Sequence, residues 1–273
     1  MRREPDRDQL ASEYADFMER LETGAVAAEK LRDLSLIDLP GGLTVVIACD
    51  SNASNGEKAN DTHQNTVEEV SVSALKVPLM EVLAAGARPM VVVNNLCVEM
   101  NPYGARLIEG MRSELRRSNL AHVQLTGSTE DNMRTTQTGI GVTVIGLASR
   151  ERLRIGKACG GDAVVCVGIP QSGIHTPYSE FAPDVAKIGT VEQLARLPYV
   201  HEILPIGSKG ARYEAGELAR VAGLFFERRS DCPVDLETSA GASTAVLVCV
   251  LPRDEERLRE EIQVPCNRIG MMK

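Results

Sequence analysis

Acidic residues stand at several places where chemistry could gather. Asp50 and Glu81 fall near the predicted ends of a strand and a helix, each beside polar sequence. Glu130 and Asp131 sit in a third polar stretch, 127–132, and Asp33 and Asp38 lie upstream. Separated carboxylates converging from several loops suit a hard cation such as magnesium, which takes oxygen ligands and keeps waters for a phosphate partner. Lys58 follows Asn55, Gly56 and Glu57 in a long polar run, where an ammonium can meet phosphate oxygens. Gly127, Ser128 and Thr129 offer backbone amides and hydroxyls of the kind that cradle an anion. Taken singly, an acidic loop residue is more often solvated surface than ligand. The histidines (His63, His122, His175, His201) form no pair at metal-ligand spacing, so imidazole ligation is not expected. His63 carries more weight than the others because it lies in the polar run beside Asp61. Walker, G-x-G-x-x-G and G-x-S-x-G loops are absent.

The elements that must position these groups read as mixed α and β. Residues 9–31 show Leu10, Tyr14, Phe17, Met18 and Leu21 at helical spacing, with Gly24 able to bend or end the run. Leucine-rich alternation at 35–39, a Pro-Gly-Gly turn and a β-branched run at 43–49 predict a hairpin. The polar stretch 50–65 is too long for a simple turn, and long loops in compact domains are usually functional. A helix is predicted over 67–85, capped by Gly86 and kinked or restarted at Pro78. Strands follow at 90–98, 122–126 and 139–147, with an amphipathic helix at 103–119 between the first two. A basic stretch, 149–154, marks the predicted boundary between domains 1–150 and 151–273. The second half continues with strands at 163–169 and 245–251 and helices at 191–197, 211–222 and 253–261.

Composition bounds the rest. The 273 residues carry 30 Lys+Arg against 38 Asp+Glu, a formal charge of −8, which argues against a general nucleic-acid or anionic-membrane binder. Neither Trp nor an aromatic cluster offers a stacking platform. No apolar tract reaches the roughly 20 residues of a membrane helix, and 1–8 is too charged for a signal peptide. These features predict a cytoplasmic protein. The seven cysteines show no C-x-x-C spacing, and Cys49, Cys166 and Cys249 sit in apolar runs as small core residues.

The order of the pieces resembles the aminoimidazole ribonucleotide synthetase-like (PurM-like) superfamily. Leu79-Met-Glu-Val-Leu-Ala-Ala-Gly-Ala-Arg-Pro89 is similar to that group's helix end, with Glu81 where the group usually has Asp. Val45-Val-Ile-Ala-Cys-Asp50 resembles its strand ending in a metal-binding Asp, and Asn55-Gly-Glu-Lys58 its Gly-x-Gly-Thr-Lys loop less one glycine. Leu125-Thr-Gly-Ser-Thr129 matches its Gly-Gly-acid-Thr turn in part, with Ser128 in the acidic place and Glu130 and Asp131 just beyond. Gly141–Gly146, Gly161-Asp162, Pro205-Ile-Gly-Ser-Lys-Gly210 and Arg268-Ile-Gly270 complete the series. The resemblance implies an α/β (α+β) fold of two domains. Its N-terminal strands would form a barrel across a homodimer, and ATP with Mg2+ would lie between the domains.

Within the superfamily, selenophosphate synthetase needs a reactive Cys or selenocysteine upstream of the first metal Asp, and the hydrogenase maturation protein ends in a reactive Cys. Neither is present in that form, and the synthetase itself has a longer chain. The combination of Cys49-Asp-Ser, Gly56-x-Lys-x-Asn-Asp61, Leu96-Cys-Val-Glu99 and His201–Gly210 resembles the α-ribazole kinase and thiamine-monophosphate kinase branch. That resemblance implies phosphoryl transfer from ATP to a nucleoside-like small molecule, α-ribazole being the best match. Asp33, Asp50, Glu81 and Asp131 would hold magnesium, and Gly127, Ser128, Thr129 and Lys58 would bind the nucleotide. Lys58 would also neutralise developing charge, with Asp61 or His63 orienting the acceptor hydroxyl. Lys209 is a weaker candidate for touching acceptor or phosphate. Two other readings stay open: a non-catalytic nucleotide-binding or regulatory protein, favoured by the departures at Glu81 and Ser128, and a ring-closing ATP-dependent ligase.

Overall fold

The strongest β-branched alternation produces the longest strands. β3 (Leu43–Ala53) and β8 (Gly139–Ser149) pair antiparallel from Leu43 opposite Ser149 to Ala53 opposite Gly139. In the computed structural model, which describes residues 7–173 and 178–273, this pair is the centre of a six-stranded sheet. β1 (Glu29–Leu31) and β2 (Leu34–Leu39) extend it on one side, and β6 (Arg88–Leu96) and β7 (Gln124–Thr129) on the other. β4 (Asn55–Gly56) and β5 (His63–Gln64) form a small parallel pair beside it. Every pairing in the large sheet is antiparallel except β6 with β7. Among the described residues the sheet is open at both ends, so one chain alone closes no barrel.

Two helices lie on this sheet. α2 (Val67–Ala84) starts at Thr66, whose side chain accepts the Glu69 amide at 3.3 Å, and carries Glu68 and Glu69 in its first turn, where acid complements the helix dipole. It ends before Gly86, which sits at φ +82° with its α-carbon so close to Arg152 that an added Cβ would meet the carbonyl oxygen at 2.5 Å. α3 (Ala105–Arg117) packs beside α2 through Leu107, Met111 and Leu115.

The second sheet is wholly antiparallel and runs in the order β10 (Val200–Pro205), β12 (Ala245–Val250), β9 (Ala163–Gly168), β13 (Cys266–Met272), β11 (Phe226–Arg228). Its helices are α4 (Ile188–Arg196), α5 (Gly210–Ala222) and α6 (Glu255–Glu261). α2 touches α4 and β10 as well as its own sheet, and one apolar core joins Val46, Leu75 and Val144 of the first half to Val165, Leu194 and Val248 of the second.

Several sequence expectations are corrected. α1 is Arg7–Glu22, not 9–31: the chain turns at Gly24 (φ +70°), and Glu29–Leu31 is a strand. No residue of α1 is buried. Pro78 does not interrupt α2. Residues 127–129 belong to edge strand β7 rather than to a loop, because β6 supplies a parallel partner as far as Thr129. Asp50 lies within β3, not after it. Cys166 and Cys249 are core residues, whereas Cys49 is exposed on the opposite face of its strand. His175 lies outside the described residues.

Candidate functional site

A cleft of about 960 Å3 lies between the halves, and the carboxylates of Asp33, Asp50, Glu81 and Glu214 line it. Each comes from a different element: the β1–β2 turn, β3, α2 and α5. α2 shows the cleft one stripe at four-residue spacing, Glu69, Ser73, Val77 and Glu81, while nearly all its other residues apart from Glu68 are buried. Ser73 accepts a hydrogen bond from the Asn52 amide at 3.0 Å, fixing α2 against β3 at this edge. The Asp33 turn is anchored across the halves. Arg32, at φ +54°, forms an ion pair with Glu202 on β10, whose side chain is fully buried.

Gathering so much negative charge in a partly desolvated place raises the carboxyl pKa values. Glu81 is pushed up to about 8, first by burial and then by Asp33 and Glu214. Glu214 is pushed up to about 7 by burial and Asp33. Asp50 rises for the same two reasons, burial and Asp33. Oxygen-only donors of one sign fit a hard divalent cation, which would replace the protons that now relieve the repulsion.

The other predicted residues divide between this cleft and a second polar group. His63 reaches the cleft and lies against Gly173 of the second half, where an added Cβ would meet its Nε2 at 2.6 Å. Lys58 does not line the cleft. Its ammonium donates to Glu99 Oε1 (2.7 Å) and to the Thr135 carbonyl (3.2 Å), and lies 5.0 Å from the centre of the Tyr103 ring. With Thr135, it holds the Glu99 carboxyl down to about 2. Asp131, exposed, accepts the Met100 amide at 2.7 Å and so belongs with that second group. Gly127 and Ser128 are exposed along β7, and Thr129 is half-buried at its end. Asp38 is remote from the cleft, accepting Thr44 Oγ1 at 2.7 Å. Lys209 is exposed and stacks over Tyr213, 4.1 Å from the ring centre.

Asp61 is buried and occupied. Its carboxylate accepts the Thr138 amide and hydroxyl, each at 2.7 Å, and the Lys58 amide at 2.9 Å, so it ties the polar run to the segment before β8. Asp61→Ala leaves these donors unanswered in a buried place. We expect a loss of about 3 kcal/mol in folding stability, read as a shift in urea midpoint, with a smaller loss in Asp61→Asn.

Residues 31–148 match the sequence profile of the AIR synthase related protein, N-terminal domain. No curated protein sequence matches significantly. Solved structures with the same fold include thiamine-monophosphate kinase from Stenotrophomonas maltophilia, 16% identical over 97% of this chain and 92% of that one, with a TM-score of 0.61. A second is a ThiL protein complexed with AMPPCP and TMP, 17% identical over 95% and 89%, TM-score 0.62. A third is found in a HypE–HypF complex, 16% identical over 94% and 93%, TM-score 0.63. The chain shares the fold of these proteins, and its residues 31–148 carry the sequence pattern of that N-terminal domain.

Sequence reasoning missed Glu214 and Glu69. Both had a signal. Glu214 falls on the apolar stripe of its helix, between Ala211 and Ala215 on one side and Leu218 on the other, where a carboxylate is out of place unless a cleft receives it. Glu69 begins the four-residue series that ends at Glu81. No described helix is long and apolar enough to cross a membrane.

Proposed function

We propose that the cleft binds ATP with magnesium and transfers the γ-phosphoryl group to a hydroxyl of a small nucleoside-like acceptor such as α-ribazole. The observation that carries this reading is the convergence of Asp33, Asp50, Glu81 and Glu214 from separate elements on one cleft. The likeness to a ThiL protein complexed with AMPPCP and TMP supports it. Phosphoryl transfer depends on positioning and charge neutralisation more than on covalent chemistry by the protein. Magnesium, when bound, supplies that neutralisation at the phosphate oxygens.

The residues divide the work by place. Asp33, Asp50, Glu81 and Glu214 hold the cation, Asp33 being fixed by the neighbouring Arg32–Glu202 pair. The acceptor oxygen forms the new P–O bond as the bond to the β-phosphate oxygen breaks, and the hydroxyl proton leaves towards His63 at the rim or a cleft carboxylate. Ser172, Ser208 and Ser243 line the far wall from the second half and give an uncharged hydroxyl surface for a polyol or ribose. A homodimer belongs to the same proposal. The exposed edge strand β7 would be covered by a second copy, bringing Gly127, Ser128 and Thr129 to nucleotide only across that interface. Lys58 and Asp131 would act from that same side.

Purified protein incubated with ATP, Mg2+ and a panel including α-ribazole and thiamine monophosphate tests the reading by mass spectrometry. The expected result is one product heavier by a phosphoryl group, with kcat/KM reduced by about 100-fold or more in Asp50→Asn. ATP binding without any product would favour a regulatory nucleotide-binding role. ADP and phosphate without a phosphorylated acceptor would favour a ring-closing ligase.

A further inference from the structure

The second half holds a mixed group of metal-binding side chains that the cleft does not use. Cys159 and Asp162 lie on the turn entering β9, and His201 is the second residue of β10. Sequence spacing gives no hint of this, because His201 stands 39 positions after Asp162, while Cys159 is only three before it. The sheet joins them: Val250 of β12 pairs with Ala163 on one side and Val200 on the other, which brings the two strand ends together. The β10–β12 register shifts between Val200 and Glu202, so His201 is the residue at the irregularity. Such bulges re-aim a side chain and recur beside functional sites.

One Cys159 sulfur, one Asp162 oxygen and one His201 ring nitrogen lie within 4.8 Å of one another. Asp162 is fully buried, and His201 Nδ1 stands 2.9 and 3.0 Å from its two oxygens. The loop bearing Cys159 is held before any ligand arrives. The amides of Gly156, Lys157 and Ala158 donate to Glu202 at 2.7–2.8 Å, and the Cys159 amide donates to Asp162 at 2.8 Å. Cys159 is exposed, which gives an ion a way in. Its thiol donates to the Lys157 carbonyl at 3.5 Å rather than to the imidazole, so the geometry is not that of a cysteine–histidine nucleophile.

We propose that Cys159, Asp162 and His201 form a zinc site, independent of the function assigned to the cleft. Sulfur, nitrogen and carboxylate oxygen together suit a borderline-soft divalent ion, whereas the all-oxygen cleft suits magnesium. Tetrahedral bonds of about 2.0–2.3 Å set ligand atoms about 3.3–3.8 Å apart. The Asp162–His201 pair therefore opens by a few tenths of an ångström, and Cys159 swings in by about 1 Å. Zinc takes the place of the hydrogen shared by His201 Nδ1 and Asp162, the ring carries its proton on Nε2, and the thiol proton passes to solvent. Water completes the fourth position.

The test uses the full chain, stripped with chelator, held in excess Mg2+ to occupy oxygen sites and titrated with Zn2+ against a chromogenic competitor. Cobalt(II) serves as a spectroscopic substitute, since a thiolate ligand gives it a charge-transfer band. We expect one zinc per chain in the parent and in Cys97→Ser, which alters an exposed cysteine elsewhere. Affinity should fall by about 100-fold or more in Cys159→Ser and in His201→Ala, with the cobalt band lost in Cys159→Ser. Circular dichroism confirms that both variants fold. Zinc retained at the parent's affinity in both variants overturns the proposal. So does cobalt bound without a thiolate band, or zinc lost in Glu214→Gln and kept in Cys159→Ser.

Discussion

Without divalent cations, the protein loses stability as the pH rises from about 5 to about 8, and Glu81→Gln removes much of that loss. The sign follows from proton binding. Glu81 has an ordinary value of 4.5 in the unfolded chain and about 8 in the folded one. Between those values the native state holds a proton that the unfolded state has released, so stability falls by about 1.4 kcal/mol per pH unit for such a group. Its contribution is whole below the unfolded value and gone once the pH has passed the folded one. Glu214, at about 7, adds to the slope over the lower part of the same window. If magnesium binds the ionised carboxylates as proposed, it restores stability at pH 8 and does little at pH 5. Glu81→Gln keeps the shape without the charge. It should be more stable than the parent at pH 8 by a few kcal/mol in chelator, respond weakly to magnesium and show little turnover. Urea midpoints at pH 5, 6.5 and 8, with and without Mg2+, check all three. A parent stability that climbs across this window, or a variant with an undiminished magnesium response, would sink the cation site.

The second large effect is expected at Lys76 and Glu180. These side chains, 1% and 5% exposed, form an ion pair between α2 and the segment before α4, and Tyr178 donates to the same glutamate at 3.0 Å. Burial pulls the Lys76 ammonium below its usual range, and Glu180 draws it partly back. Removing one partner leaves the other buried without its counter-charge. Lys76→Met and Glu180→Leu should therefore each cost about 3–5 kcal/mol. The double variant should cost far less than their sum, because two apolar groups of similar volume need no desolvated charge. A double-mutant cycle by chemical denaturation measures the coupling; additive losses would show that the pair acts through packing alone.

Periodicity made the main strands and most helices legible before any coordinates. Alternation in 43–49 and 139–147 announces β3 and β8, and the return of apolar residues after Thr66 announces α2. What escaped was anything that depends on long-range pairing. β10 and β13 are short runs in which polar residues (His201 and Glu202, Asn267 and Arg268) break the apolar pattern and whose partners lie far off in sequence, and Ser128 and Thr129 read as loop because polar side chains on an exposed edge look the same as a turn. The site divides in the same way. Asp33, Asp50 and Glu81 were recognisable as carboxylates near element ends. That Lys58 and Asp61 lie elsewhere could not be read, since Glu99, Thr135 and Thr138 become their neighbours only after β6 and β8 pair. Glu214 was hidden because its helix comes from the other half of the chain.

The shared core has a bearing on how the cleft is used. Both walls rest on α2, and its apolar side chains continue without a break into the second sheet. Swinging the halves apart would tear that interior open, so the cleft is preorganised and any ligand would have to exchange through the rim. A ligand of the proposed kind would then forfeit little free energy to closing the two halves, and selectivity would fall to the shape and charge of a cavity already set when its guest arrives.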